Sequence, residues 1–114
     1  MADDKIYVDE ADGIKRVMNN AKLYVRLLTK FRNENNLNDL NTLLGAGDME
    51  KAQGAAHTIK GIAANLSLMA LFQQTLEVET QIKNKAVDQG AVDTLNTVFA
   101  ETLEEVDKVL AKYA

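Results

Sequence analysis

The chain has 114 residues, a net charge of −4 and no cysteine. That length suits one domain, residues 1–114, with a core of its own. The missing thiols exclude a disulfide framework, a thiolate metal site and a cysteine nucleophile. An acidic balance speaks against a nucleic-acid binder, which carries a basic face. No apolar run approaches the roughly 20 residues of a membrane span. The N-terminal residues Met1, Ala2, Asp3, Asp4 and Lys5 lack a signal peptide's apolar core, so a cytoplasmic protein is expected.

Proline is absent, and alanine, leucine, lysine and glutamate are abundant, a composition for long helices rather than strands. About residues 9–19, Ala11, Ile14 and Met18 recur at helical spacing, in a short segment that Gly13 weakens. A second helix over about residues 20–35 carries Leu23, Leu27, Leu28 and Phe31 on one stripe. The polar run 33–38 predicts a break. A short helix over about 38–44 then stops at Gly45, Ala46 and Gly47.

Asp48 stands where an N-cap belongs and opens a helix to about residue 66, with Ala52, Ala55, Ala56, Ile59, Ile62, Ala63 and Leu66 inward. Asn65 or Ser67 is predicted to end it, and Ser67 can cap the next helix, about 68–85, which buries Leu68, Leu71, Phe72, Val78 and Ile82; Leu76 is also read as core. Asp88 caps the last helix, where Val92, Phe99, Val106 and Tyr113 recur every seven residues with Leu103 and Leu110 between them. The predicted fold is all-α: an antiparallel four-helix bundle with one or two short additional helices near the N-terminus.

The single histidine, His57, does not belong to that core. At about 100° per residue, the inward set of its helix clusters within about 60° of one direction, and His57 falls roughly 160° from it. Gln53 lies one turn before it, Lys60 and Gly61 one turn after, and Ala64 two turns after; Gly54 and Glu50 complete the patch. Two glycines inside a helix cost about 1 kcal/mol each against alanine, so they need a reason. Close approach of a partner surface is one. Glu50 reads as solvated surface, and Gln53 and Ala64 as either ordinary surface or the rim of a site. The acidic residues Glu101, Glu104, Glu105 and Asp107 read as a solvated helix face.

The run Ala56, His57, Thr58, Ile59, Lys60, Gly61, Ile62, Ala63, Ala64, Asn65, Leu66 resembles the signature of histidine-containing phosphotransfer (HPt) domains: alanine, histidine, any residue, an aliphatic, lysine, glycine, then a small residue at the second turn. Gly47 with Asp48, Phe31, and Leu76 with Glu77 are also family-like, and the likeness reaches from about residue 9 to residue 85. The Ala64, Asn65, Leu66 continuation looks more like phosphorelay and hybrid-kinase modules than the chemotaxis-kinase version. One departure is Ser67, where the family usually has glycine, with a slightly different turn expected.

The resemblance implies that His57 accepts and donates a phosphoryl group, that Lys60 supports it electrostatically, and that Gly61, Ala64, Gln53 and Gly54 form the surface a receiver domain approaches. An ammonium one turn from an imidazole favours its neutral, nucleophilic form and attracts a phosphoryl group. The implied partners are response-regulator receiver domains or a hybrid sensor histidine kinase, with no nucleic acid and no membrane, and the chain is expected to be a monomer. No metal site or cofactor of its own is expected; Mg²⁺ belongs to the receiver. A free-standing protein is expected over a module of a larger kinase. The alternative is an HPt-like binding module that docks receivers or a kinase without being phosphorylated. An autokinase is excluded for want of a glycine-rich phosphate loop or ATP-binding domain, so the chain is read as a phosphocarrier and not an enzyme. A lone histidine without convergent carboxylates makes a poor metal site.

Overall fold

The computed structural model describes residues 6–34 and 36–114; the segment Met1 to Lys5 and Asn35 lie outside the described residues. Among the described residues six helices follow in order: α1 (Glu10–Arg16), α2 (Ala21–Asn33), α3 (Asn36–Gly45), α4 (Met49–Leu66), α5 (Met69–Lys83) and α6 (Gln89–Lys112). Each starts for a local reason where the sequence supplies one. Asp9, Asn20, Asp48 and Asp88 each accept a hydrogen bond from a first-turn backbone N–H, satisfying donors that have no intrahelical partner. At the end of α3, Asp48 N–H reaches Leu43 O and Gly47 N–H reaches Leu44 O, with Gly47 at φ +74°. That is the Schellman closure the glycine pair predicts.

The bundle consists of α2, α4, α5 and α6. Helices α4, α5 and α6 pack successively through short connections and so run antiparallel; α2 closes the ring by packing on both α6 and α4, and α3 lies along α4. The centre is filled by Tyr24 and Leu28 of α2, Leu40 of α3, Ala56 and Ile59 of α4, Leu71 and Val78 of α5, and Leu95, Val98 and Val106 of α6, all 2% exposed or less. Phe31 and Phe99 join α2 to α6 in a tilted pair with ring centroids 5.4 Å apart. Among the described residues no helix is long and apolar enough to cross a membrane.

Several expectations fail, each for a visible reason. The short N-terminal helix presents neither Ala11 nor Met18 inward: Ala11 is exposed and Met18 is 91% exposed. Ile14 packs on the core as expected, and the buried residue of the helix is Gly13, where a Cβ would stand 2.3 Å from the Tyr24 ring. The glycine that weakened the segment is what lets it dock. Helices α2 and α5 have 13 and 15 residues, shorter than the periodicity suggested. The break before α3 is also shorter, since α3 begins at Asn36.

Ser67 does not cap α5, whose N-cap Leu68 makes no side-chain capping bond. It ends α4, one of the two stops expected there, at φ 58° and ψ 42°, with Ser67 N–H on Ala64 O and Leu68 N–H on Ala63 O. Its hydroxyl donates to Asp12 of α1. Leu76 is 38% exposed rather than core, and Tyr113 is 42% exposed, donating its hydroxyl to Glu10. The acidic face of α6 is only partly free. Tyr7 donates to Glu101, Lys108 pairs with Glu105 and Arg32 pairs with Asp107.

Candidate functional site

Helix α4 carries the candidate residues because its inward stripe of small and aliphatic side chains fixes its rotation. Ala52, Ala56, Ile59, Ala63 and Leu66 are buried, and Ala55 and Ile62 partly so. The opposite face then has to carry His57, whose side chain is 71% exposed. Gly54 is exposed, and Gln53, Lys60, Gly61 and Ala64 are half-buried around it. A Cβ built on Gly54 or Gly61 meets no atom within 4 Å. Packing inside the chain therefore does not require glycine at either place, unlike Gly13. Their effect is to lower the surface beside the imidazole.

His57 is exposed but not unsupported. Nδ1 stands 3.4 Å from Oε2 of Glu79, a charged side chain buried in the core at 2% exposed. The other oxygen, Oε1, lies 2.6 Å from the Lys60 ammonium. Lys83, one turn further along α5, brings its ammonium to 3.9 Å from Oε2. One buried carboxylate thus gathers the imidazole and two lysines. Burial alone pushes the Glu79 carboxyl up, but the adjoining Lys60, with Lys83 and His57 adding charge, outweighs burial and holds it below the ordinary carboxylate value.

Every site residue expected from the sequence falls on one face of α4, from Gln53 to Ala64. Lys60 differs from expectation in one respect: its charge is directed at Glu79, and its side chain is only 21% exposed. Glu79 and Lys83 were missed. The sequence did hold a signal for Glu79, which sits beside Val78 and three residues before Ile82, inside the buried stripe of α5. A carboxylate on a buried stripe is held there by partners. Glu77, which is family-like in sequence, is exposed.

A shallow groove of about 190 Å³ between α2 and α4, lined by Leu27, Phe31, Ile62 and Leu66 among others, includes none of the candidate residues. The arrangement is an outward imidazole on an open helical face, backed by a buried anion.

An outward histidine on a bundle helix in this sequence context has a counterpart among known families. The Hpt domain family model matches residues 26–111, and the chain belongs to that family. Comparisons with curated proteins and with solved structures returned no match. Membership gives the chain a phosphotransfer-related role in two-component signalling. Hpt domains are phosphocarriers rather than catalysts, and they work with receiver domains and kinases.

Proposed function

We propose that the chain is a phosphorelay carrier in which His57 takes a phosphoryl group from the aspartate of one receiver domain and passes it to another. The observation that carries this reading is the orientation of the imidazole: Nδ1 faces the buried Glu79 carboxylate while the ring itself is exposed. A carboxylate beside Nδ1 favours the tautomer with its proton there. Nε2 is then left with a free lone pair on the solvent side.

The chemistry balances without a separate base. The Nε2 lone pair attacks phosphorus in line, the P–O bond of the acyl phosphate breaks, and the receiver's aspartate leaves with the bonding pair. The imidazole becomes an imidazolium that keeps its Nδ1 proton, and its positive charge develops 3.4 Å from Glu79. Reversal returns the group to a second aspartate. Mg²⁺ is supplied with the receiver's aspartate. Gln53, Gly54, Gly61 and Ala64 form the landing surface, where the low profile lets a partner bring its own active site to the ring. Positioning and electrostatics dominate phosphoryl transfer, so a rigid outward nucleophile suffices for a carrier. Lys60 acts through Glu79, as its counter-ion. The protein operates in the cytoplasm as a monomer.

Incubation with a phosphorylated receiver is expected to place acid-labile, base-stable phosphate on the chain, and His57→Gln to abolish it. Label that persists in His57→Gln removes this residue from the reaction. A chain that binds receivers yet never takes label is the docking module instead.

A further inference from the structure

Phosphorylation puts a doubly negative group on the solvent side of His57, and some cation has to meet it. Lys60 is poorly placed for that task. Its ammonium lies 2.6 Å from Oε1 of Glu79, a buried oxygen that no other donor satisfies among the described residues. Withdrawing it strands a carboxylate in the core, a larger loss than an exposed contact with phosphate returns. Lys83 differs on every count. Its ammonium is 3.9 Å from Oε2, its side chain is 53% exposed, and a loose, solvated pair of that kind costs little to break. Oε2 is also the oxygen that faces His57 Nδ1. The Lys83 ammonium therefore stands within two contact lengths of the ring, on a stem long enough to swing outward.

We propose that Lys83 is the cation that meets the phosphoryl group on His57, while Lys60 stays behind as the counter-ion of Glu79. The assignment rests on the phosphocarrier reading above. The local charges suit it. His57 and Lys60 from α4 and Glu79 and Lys83 from α5 make up the ion-paired cluster. One glutamate against two lysines leaves one positive charge unmatched by a carboxylate. The more mobile of the two lysines carries it to the incoming group.

The test uses the full chain, charged in two ways. Phosphoramidate transfers its phosphoryl group to histidine with release of ammonia and needs no partner; a phosphorylated receiver supplies the second route. In ³¹P NMR, Lys83→Met is expected to raise the pH midpoint of the His57 phosphoryl group by about half a unit to one unit, because the dianion loses its cation. Labelling by the receiver should slow about 5-fold and lose part of its salt dependence. Lys83→Arg should restore all three. Lys60→Met is expected instead to lower the thermal midpoint more than Lys83→Met does.

A ³¹P midpoint unmoved in Lys83→Met, or one that moves with Lys60→Met alone, overturns the assignment while leaving the carrier intact. Failure of the parent chain to take phosphate from either donor overturns the carrier reading, and this assignment with it.

Discussion

At the scale of single residues, the site turns on a carboxylate that is not on the histidine's helix. Glu79 is 2% exposed and touches His57, Lys60 and Lys83. Its removal should therefore be felt in the chemistry and in the fold separately. Glu79→Gln keeps a side-chain oxygen for Nδ1 but gives up the charge that, in the proposed transfer, balances the imidazolium. Labelling of His57 is expected to slow about 10-fold to 100-fold, the range a charge-assisted contact contributes, as measured by single-turnover transfer from a phosphorylated receiver. Gly61→Leu should behave in the opposite way. The thermal midpoint should hold or rise, since a Cβ there meets nothing within 4 Å and leucine favours helix. Transfer should nonetheless fall sharply, because the side chain now stands beside the ring. A Gly61→Leu variant that transfers at the parental rate removes the landing-surface role from this residue.

At the scale of helices, the termini and the close approaches decide what substitutions do. The Gly13 to Tyr24 contact leaves no room for a methyl group, so Gly13→Ala is expected to cost about 1–3 kcal/mol by overpacking, read from urea unfolding. Propensity alone gives the reverse sign, which makes the measurement decisive. At the turn after α4, Ser67 holds a left-handed conformation and donates to Asp12. Ser67→Gly relieves the backbone and loses the hydroxyl, two effects of about 1 kcal/mol that oppose each other. Ser67→Ala loses the hydroxyl and keeps the strain, so it should be the less stable of the two.

These positions also show what the sequence could and could not disclose. Periodicity placed α4 and its rotation, and with them His57, Lys60, Gly61 and the inward alanines, because one stripe fixes one face. It offered Ser67 as a stop for α4, but not the left-handed turn there, which depends on a backbone φ of 58° that serine tolerates only in context. Nor could it place Glu79: an inward charge is visible in a sequence, but its partners lie on α4. Leu76 and Tyr113 were misjudged because apolar spacing continues past the edge of the buried stripe.

At the scale of the molecule, ion pairs at both ends of the chain and in the site bear on acid stability. The Glu10 carboxyl is held below its ordinary value by Lys112 and then Tyr113, and that of Asp12 by Ser67 and then Arg16. Glu79, against its own burial, is lowered too. Carboxyls depressed in the fold bind fewer protons there than in the unfolded chain. Their contribution is complete above the ordinary carboxylate range and is lost as pH falls through it. The urea midpoint should therefore be flat near neutrality and decline below about pH 5. Glu79→Gln should make that decline shallower. At neutral pH the hydrophobic contacts dominate: Phe31→Ala, which breaks the α2–α6 ring pair, is expected to cost about 3–5 kcal/mol in the same assay.

The open space over Gly54 and Gly61 has a consequence for how such a carrier could acquire new partners. Nothing in its own fold leans on these positions, so side chains can be added there without disturbing the core. Fidelity of signalling can then drift apart from stability: a single substitution on this strip can insulate the protein from one receiver while the bundle beneath it remains the same.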